Sequence, residues 1–148
     1  VLDLALEGAG RTLGADRAVL ALVTANRAQL SARATEGLGA QQLMRHFNFL
    51  LASAPRDALT ELVDHARIID VTAGFVPAPG LPSLTRLRAA LGDRHQMLVP
   101  VEAHGQVVGV LYIDRAPSRP VFPENTQEGL LHFARLAGLA LEQSGPRR

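Results

Sequence analysis

Histidine is the residue of this chain best suited to bind a metal through nitrogen, but its spacing argues against a helical metal motif. The five histidines are His46, His65, His95, His104 and His132. No two of them are three or four residues apart, so no pair would share one face of a helix. Cysteine is absent, which excludes disulfides, thiolate zinc sites, cysteine nucleophiles and thioether-linked cofactors. We therefore predict no metal site.

His95 is the histidine best placed for ligand contact, because it opens a predicted strand where a pocket rim could lie. It could ligate haem iron or bind an acidic ligand. The alternative is a solvent-exposed histidine at the end of a strand. We favour the alternative, since metal sites usually need several convergent ligands. Haem is therefore not expected.

The known catalytic constellations are missing from the sequence. Gly8-Ala9-Gly10 lacks the third glycine of a dinucleotide fingerprint and follows no strand. There is no phosphate-binding P-loop and no serine in a nucleophile elbow. Asp57, Glu61 and Asp64 share a helical face that is typical of a solvated surface. We predict no catalytic residues and no enzymatic activity.

Arginine supplies all 15 basic residues of the chain. Its planar guanidinium suits phosphate and carboxylate recognition. Because the arginines are scattered along the sequence without a cluster, we favour coding bias as the explanation. Arg86 and Arg88 lie together beside a proline-rich loop and could clamp an anionic group. The alternative is that they form the solvent face of an amphipathic helix.

Four apolar residues are further candidates for a ligand pocket. Phe75 lies in the proline-rich loop, where an apolar side chain suggests a lid or a covered pocket. Met97, with Phe47 and Phe49, could line a cavity, although such residues more often belong to the core.

Length and composition indicate one globular domain. The chain has 148 residues, of which 47% are hydrophobic and 20% are charged, with a formal charge of +1. That balance argues against a nucleic-acid partner. No apolar run approaches the roughly 20 residues of a membrane span, and no signal peptide is evident. We expect a cytoplasmic domain without membrane contact. Val1 and the Gly-Pro-Arg-Arg end suggest a piece of a longer protein.

The hydrophobic periodicity predicts helices at both ends of the chain and strands between them. Helices are predicted at 1–13, after Pro55 to 66, at 84–91 and from Asn125 to Gln143, and strands at 17–24, 29–35, 67–71, 95–103 and 106–114. Phe47 to Leu51 fits either a helix or an extended segment. Residues 72–83, with three prolines and two glycines, are predicted to form a loop.

The last two strands are apolar on both faces and are joined by His104-Gly105, which suits a two-residue turn. An antiparallel sheet with one solvated face would alternate instead. We therefore predict an α+β domain in which helices sandwich a mostly antiparallel sheet of about five strands.

The same region resembles the GAF family of sensory domains. The residues that carry the resemblance are R-H-Q-M-L-V-P-V at 94–101, G-Q-V-V-G-V-L-Y-I-D at 105–114, Phe122, and the alanine-rich helix through Leu141. The resemblance spans about residues 1–144, which we take as one domain, with 145–148 as a tail or the start of a linker. It implies the GAF-like α+β fold.

The resemblance also implies a non-catalytic regulatory domain that senses a small molecule and controls a neighbouring output domain. The absence of cysteine excludes a covalent bilin, and the cyclic-nucleotide motif of some members is missing. The cofactor is therefore left open. An alternative is a ligand-free dimerisation relay, and an enzyme of unrecognised chemistry ranks last.

The terminal helices are predicted to form a homodimer. Small residues such as Ala134, Ala137 and Gly138 would permit close approach of two helices. The candidate dimer residues are Leu2, Leu6, Leu130, Ala134, Ala137 and Leu141.

Overall fold

The structure is a computed structural model that describes residues 2–37, 39–51, 57–74 and 82–143. Its helices are α1 (Leu2–Thr12), α2 (Leu43–His46), α3 (Ala58–His65), α4 (Pro82–Leu91) and α5 (Thr126–Gln143), with a short 3-10 turn at Ala40–Gln42. Its strands are β1 (Arg17–Val23), β2 (Gln29–Gly37), β3 (Asn48–Leu50), β4 (Ile69–Val71), β5 (His95–Ala103) and β6 (Gln106–Arg115). Within these residues, no helix is both long and apolar enough to cross a bilayer.

The strands form one antiparallel sheet in the order β3-β2-β1-β6-β5-β4. The predicted α+β fold is confirmed, and the sixth strand comes from the segment whose structure the sequence left open. For this segment, Phe47 to Leu51, the sequence leaves a helix and an extended conformation open. The helix α2 ends just before it at His46, and the extended strand β3 begins at Asn48. The extended geometry places Phe49 opposite Leu30 of β2 and buries both side chains.

Helices cover both faces of the sheet, as the apolar last hairpin predicts. One face, with α2, α3 and α4, forms the α4-side cluster, whose buried members include Phe47, Phe49, Leu59, Leu87, Leu98 and Tyr112. The other face, with α1 and α5, forms the terminal-helix cluster, which includes Leu6, Leu20, Val99, Leu111 and Leu130. Because side chains alternate along a strand, β5 and β6 contribute to both clusters.

The backbone explains two local features of the last hairpin. His104 and Gly105 have φ of 54° and 75°, the left-handed pair that a tight two-residue turn requires. Pro100 lies beyond Leu98, the last β5 residue paired with β4 on the outer edge. Its missing N–H therefore removes no hydrogen bond to that neighbour.

Candidate functional site

Arg86 and Arg88 lie on α4, at the edge of the α4-side cluster. The Nη2 of Arg86 donates to the carbonyl of Leu50 at 2.8 Å, and its guanidinium lies 5.9 Å from the centre of the Phe49 ring. Arg86 therefore ties α4 to β3. The Nη2 of Arg88 lies 3.6 Å from a carboxylate oxygen of Asp93. Both guanidinium groups belong to the helix that covers the α4-side cluster.

His95 opens β5 as predicted, but only 6% of it is exposed, so the expected solvent-exposed histidine is wrong. Its Nδ1 accepts from the N–H of Ala73 at 3.0 Å. Its Nε2 lies 2.8 Å from the carbonyl of Arg119 and must therefore carry the proton and donate. Both nitrogens of the ring are engaged by backbone, and binding a ligand through either one would break a hydrogen bond.

Met97, one of the predicted pocket residues, is not brought to Arg86. Met97 is buried in the terminal-helix cluster, on the opposite face of the sheet, because it alternates with Leu98 along β5. The prediction that groups Met97 with Arg86 and Arg88 is therefore corrected. Phe75 lies outside the described residues.

The predicted dimer stripe packs inside the domain. Four of its members are buried in the terminal-helix cluster, and the partly buried Leu2 and Leu141 pack against that cluster: the four are Leu6, Leu130, Ala134 and Ala137. The assignment of these residues to a dimer surface is corrected, because each helix turns its widest apolar stripe toward its own sheet. The exposed apolar residues of the terminal helices are instead Leu4, Leu136 and Leu139.

A buried polar network at one end of the sheet was missed by the sequence reasoning. Asp114 of β6 is fully buried and accepts from Arg17 Nη2 at 2.6 Å and Nε at 3.0 Å. It also accepts from the Tyr112 hydroxyl at 2.6 Å, and Gln96 Nε2 donates to the same hydroxyl oxygen at 3.2 Å. The sequence signal was that one apolar strand begins with a charged residue, Arg17, and that another carries Asp114 near its end. Their antiparallel pairing, Arg17 opposite Asp114, is what joins them.

This network holds the end of α4. Arg17 Nη2 donates to the carbonyl of Leu91 at 2.9 Å, and Gln96 Nε2 donates to that of Gly92 at 3.4 Å. Leu91 is the last residue of α4 and Gly92 follows it, and carbonyls at the C-terminal end of a helix lack intrahelical partners. The side chains of β1 and β5 therefore supply the C-terminal cap of α4.

The opposite charges of Arg17 and Asp114 stabilise each other, and both affect the pKa of their neighbours. Burial and the adjacent Asp114 carboxylate raise the pKa of Tyr112 well above its ordinary value, so its hydroxyl stays protonated and donates. Burial alone would lower the pKa of Arg17, but the hydrogen bond and charge of Asp114 outweigh it and raise that pKa. The arrangement keeps Arg17 charged beside Asp114 and Tyr112 protonated.

Asp16 extends the network to the connection between α1 and β1. Its carboxylate accepts from the Ala116 N–H at 2.8 Å, from Arg94 Nη2 at 3.2 Å and from Arg119. Arg94 Nε also lies 3.2 Å from Asp114. Four arginines that are scattered in sequence, including Arg115, which donates to the carbonyls of Leu13 and Gly14, thus gather at one end of the sheet.

We expect Asp16→Asn to reduce stability at neutral pH more than at about pH 3. Although partial burial alone would raise it, the Ala116 and Arg119 hydrogen bonds and the nearby arginines lower the pKa of Asp16. A carboxyl group whose pKa is lower in the folded than in the unfolded state stabilises the fold when the pH is above the unfolded-state pKa. This stabilisation is lost as the pH falls through the folded-state pKa. Thermal unfolding of both proteins across this range measures the difference. An equal loss at both pH values would contradict the assignment.

Within the part of the chain that the structure describes, no group of three or more histidine and acidic residues could hold a metal ion. Around α4, the described residues place the guanidinium groups of Arg86 and Arg88 beside the α4-side cluster. Guanidinium groups form charge-assisted hydrogen bonds with carboxylates and phosphates.

The comparisons with known proteins agree on one fold. The profile of the GAF domain matches residues 1–141. A GAF domain/HD domain protein from Geobacter sulfurreducens superposes with a TM-score of 0.71 at 14% identity, covering 96% of this chain and 90% of that one. The PixJ GAF domain from Thermosynechococcus elongatus gives 0.68 at 19% identity, covering 97% and 86%. A sensor histidine kinase domain from Sinorhizobium meliloti gives 0.65 at 14% identity, covering 96% and 89%. No curated protein gives a significant sequence match.

Proposed function

The chain belongs to the GAF domain family, and we propose that it is a non-catalytic, cytoplasmic regulatory domain of a signalling protein. It binds a small molecule on the α4 side of the sheet, dimerises through its terminal helices and controls a neighbouring output domain. The similar solved domains support the last point, because one comes from a GAF domain/HD domain protein and another from a sensor histidine kinase.

The observation that carries this proposal is the hydrogen-bonded connection between the end of α4 and the start of β1. The Nη2 of Arg17 donates to the Leu91 carbonyl and also, together with Nε, to the Asp114 carboxylate. The next residue toward α1, Asp16, is held by Arg94 and Arg119. A displacement of α4 by a ligand would change these contacts and so bias the connection that leads into α1.

Arg86 and Arg88 are the residues that we propose to contact the effector. They lie two residues apart on α4, so their side chains leave the helix in different directions. Arg86 ties α4 to β3, and α4 ends at the network. A ligand with a carboxylate or phosphate would gain charge-assisted hydrogen bonds from either guanidinium. A ligand that competes with the Leu50 carbonyl for Arg86 would release β3 from α4.

A ligand-free dimerisation relay is the second candidate, and the packing of the α4-side cluster favours it. Phe47 and Tyr112 are fully buried there, with ring centres 5.3 Å apart, and Phe49 lies 5.2 Å from Phe47. These rings fill the space against the sheet where a ligand would otherwise insert. In this alternative the domain transmits only the association of its terminal helices.

Native mass spectrometry of the freshly purified protein, compared with its denatured mass, tests the two candidates together. We expect a dimer that carries additional mass, which would give the molecular weight of the effector. A dimer without additional mass would favour the ligand-free relay. A strict monomer at tens of micromolar would contradict dimerisation in both.

A matched pair of variants tests the proposed ligand contacts. Arg88→Gln removes one guanidinium from α4, whereas Arg33→Gln removes an exposed guanidinium from β2. We expect the ratio of ligand-bound to ligand-free protein to fall about tenfold in the first variant only, because a charge-assisted hydrogen bond contributes roughly that factor to affinity. Equal retention in both variants would contradict a role for Arg88.

A further inference from the structure

The terminal helices carry three exposed leucines. Leu4, Leu136 and Leu139 are 70%, 38% and 55% exposed. α1 and α5 are antiparallel, because a Cβ at Gly8 would contact Phe133 whereas one at Gly129 would contact Leu13. That register brings Leu4 level with Leu136. The three leucines therefore form a stripe across both helices.

A groove continues this stripe toward the free edge of β5. Its volume is about 320 Å³, and apolar atoms of Pro100, Leu131 and Leu139 line it. Its charged residues are Arg135, Glu102 and Glu142. The Oε2 of Glu142 accepts from the N–H of His104 at 2.7 Å, which holds this carboxylate at the groove. Within the described residues, no carboxylate forms an ion pair with Arg135.

The charges of this surface are complementary to those of a second copy of the same chain. Arg135 lies four residues before Leu139, and Glu142 lies three residues after it, so all three share one face of α5. At 1.5 Å per residue, the opposite charges are about 6 Å and 4.5 Å along the helix from Leu139. An antiparallel pair of α5 helices that crosses near Leu139 would bring each Arg135 to the partner's Glu142.

We infer that two copies of this domain associate through antiparallel α5 helices, with Leu139 at the two-fold axis. The inference rests on the dimerisation in the proposed function and adds the orientation and the contacts. Arg135 of each copy enters the other copy's groove, where Glu102 and Glu142 provide two carboxylates. A parallel pair in register would oppose Arg135 to Arg135 and Glu142 to Glu142, which is repulsive.

Disulfide cross-linking tests the orientation, because the chain has no cysteine of its own. Arg135→Cys and Glu142→Cys are each oxidised alone and as an equal mixture. In the antiparallel pair the mixture places the two new thiols together, within the 4.4–6.8 Å Cα separation of a disulfide. We expect the mixed dimer, identified by its mass, to exceed each homotypic dimer about fivefold.

The other outcomes separate a wrong orientation from a wrong function. Predominant homotypic cross-links at both positions would overturn the antiparallel orientation while leaving dimerisation intact. A dimer in sedimentation without any cross-link would overturn the use of this surface. A monomer of the unmodified protein would overturn dimerisation itself, and with it this inference.

A charge exchange provides a second test without cysteine. Both side chains lie on the exposed face of α5, so the variants should fold. We expect Arg135→Glu to weaken the dimer about tenfold, and Arg135→Glu with Glu142→Arg to restore its dissociation constant to within about threefold. Arg33→Glu on β2 is the control and should change nothing. Failure of the double exchange to restore association would contradict the pairing.

Discussion

Replacing Gly138 with alanine should lower the free energy of unfolding by about 2–4 kcal/mol. A Cβ at this position of α5 would overlap the carbonyl oxygen of Glu102 in β5. Because that oxygen belongs to the backbone of a strand paired with β6, it cannot move aside like a flexible side chain. The helix would have to rise from the sheet and open the terminal-helix cluster. Urea denaturation followed by circular dichroism measures the loss.

Gly10→Ala is the matched control, since Gly10 also lies on a terminal helix that packs against the sheet. A Cβ there would lie 3.6 Å from Glu36 Cγ and 3.8 Å from Ala18 Cβ, which are ordinary contact distances. Alanine is favoured over glycine in a helix by roughly 1 kcal/mol, so this variant should be as stable as the parent or more so. Unchanged stability of Gly138→Ala would contradict the close approach of α5 to β5.

Asp114→Asn should cost about 3–5 kcal/mol of unfolding free energy. The neutral amide leaves the partly buried guanidinium of Arg17 without its counter-charge. It also removes the carboxylate 3.2 Å from Arg94 Nε and one acceptor for the Tyr112 hydroxyl. Loss of one partner is costly because the remaining charge stays out of water. Chemical denaturation at neutral pH measures the effect.

Two comparisons make this second prediction specific. Glu7→Gln breaks the exposed pair of Glu7 with Arg11 and should change stability by no more than about 0.5 kcal/mol. Arg17→Met combined with Asp114→Leu removes both buried charges, and it should cost less than the sum of the two single changes. Strict additivity would show that Arg17 and Asp114 do not act as a unit.

Hydrophobic periodicity was sufficient to predict most of the fold. The apolar faces on both sides of the last hairpin required two covering layers, and the helical stripes at the chain ends supplied one of them. The two-residue turn predicted at His104-Gly105 is also present, with the positive φ that such a turn needs at both residues. Phe47 to Leu51 could not be assigned from its pattern, because a short apolar run fits helix and strand alike. Pairing with β2 decided it.

The same reasoning failed where residues distant in sequence meet. The stripe of Leu130, Ala134 and Ala137 is equally suited to a partner helix or to the domain's own sheet, and only the tertiary packing shows that it faces inward. His95 was expected to be solvated, but two loops bury it.

By itself, the sequence determined the fold class, the positions of most strands and helices, and the absence of cysteine chemistry, because these depend on composition and on short-range periodicity. Only the tertiary structure decided which groups meet. Arg17 and Asp114 are 97 residues apart along the chain and become partners through the antiparallel pairing of β1 and β6. The register of such a pairing depends on the whole sheet, and so the network that joins α4 to the first strand is not visible in the residues one by one.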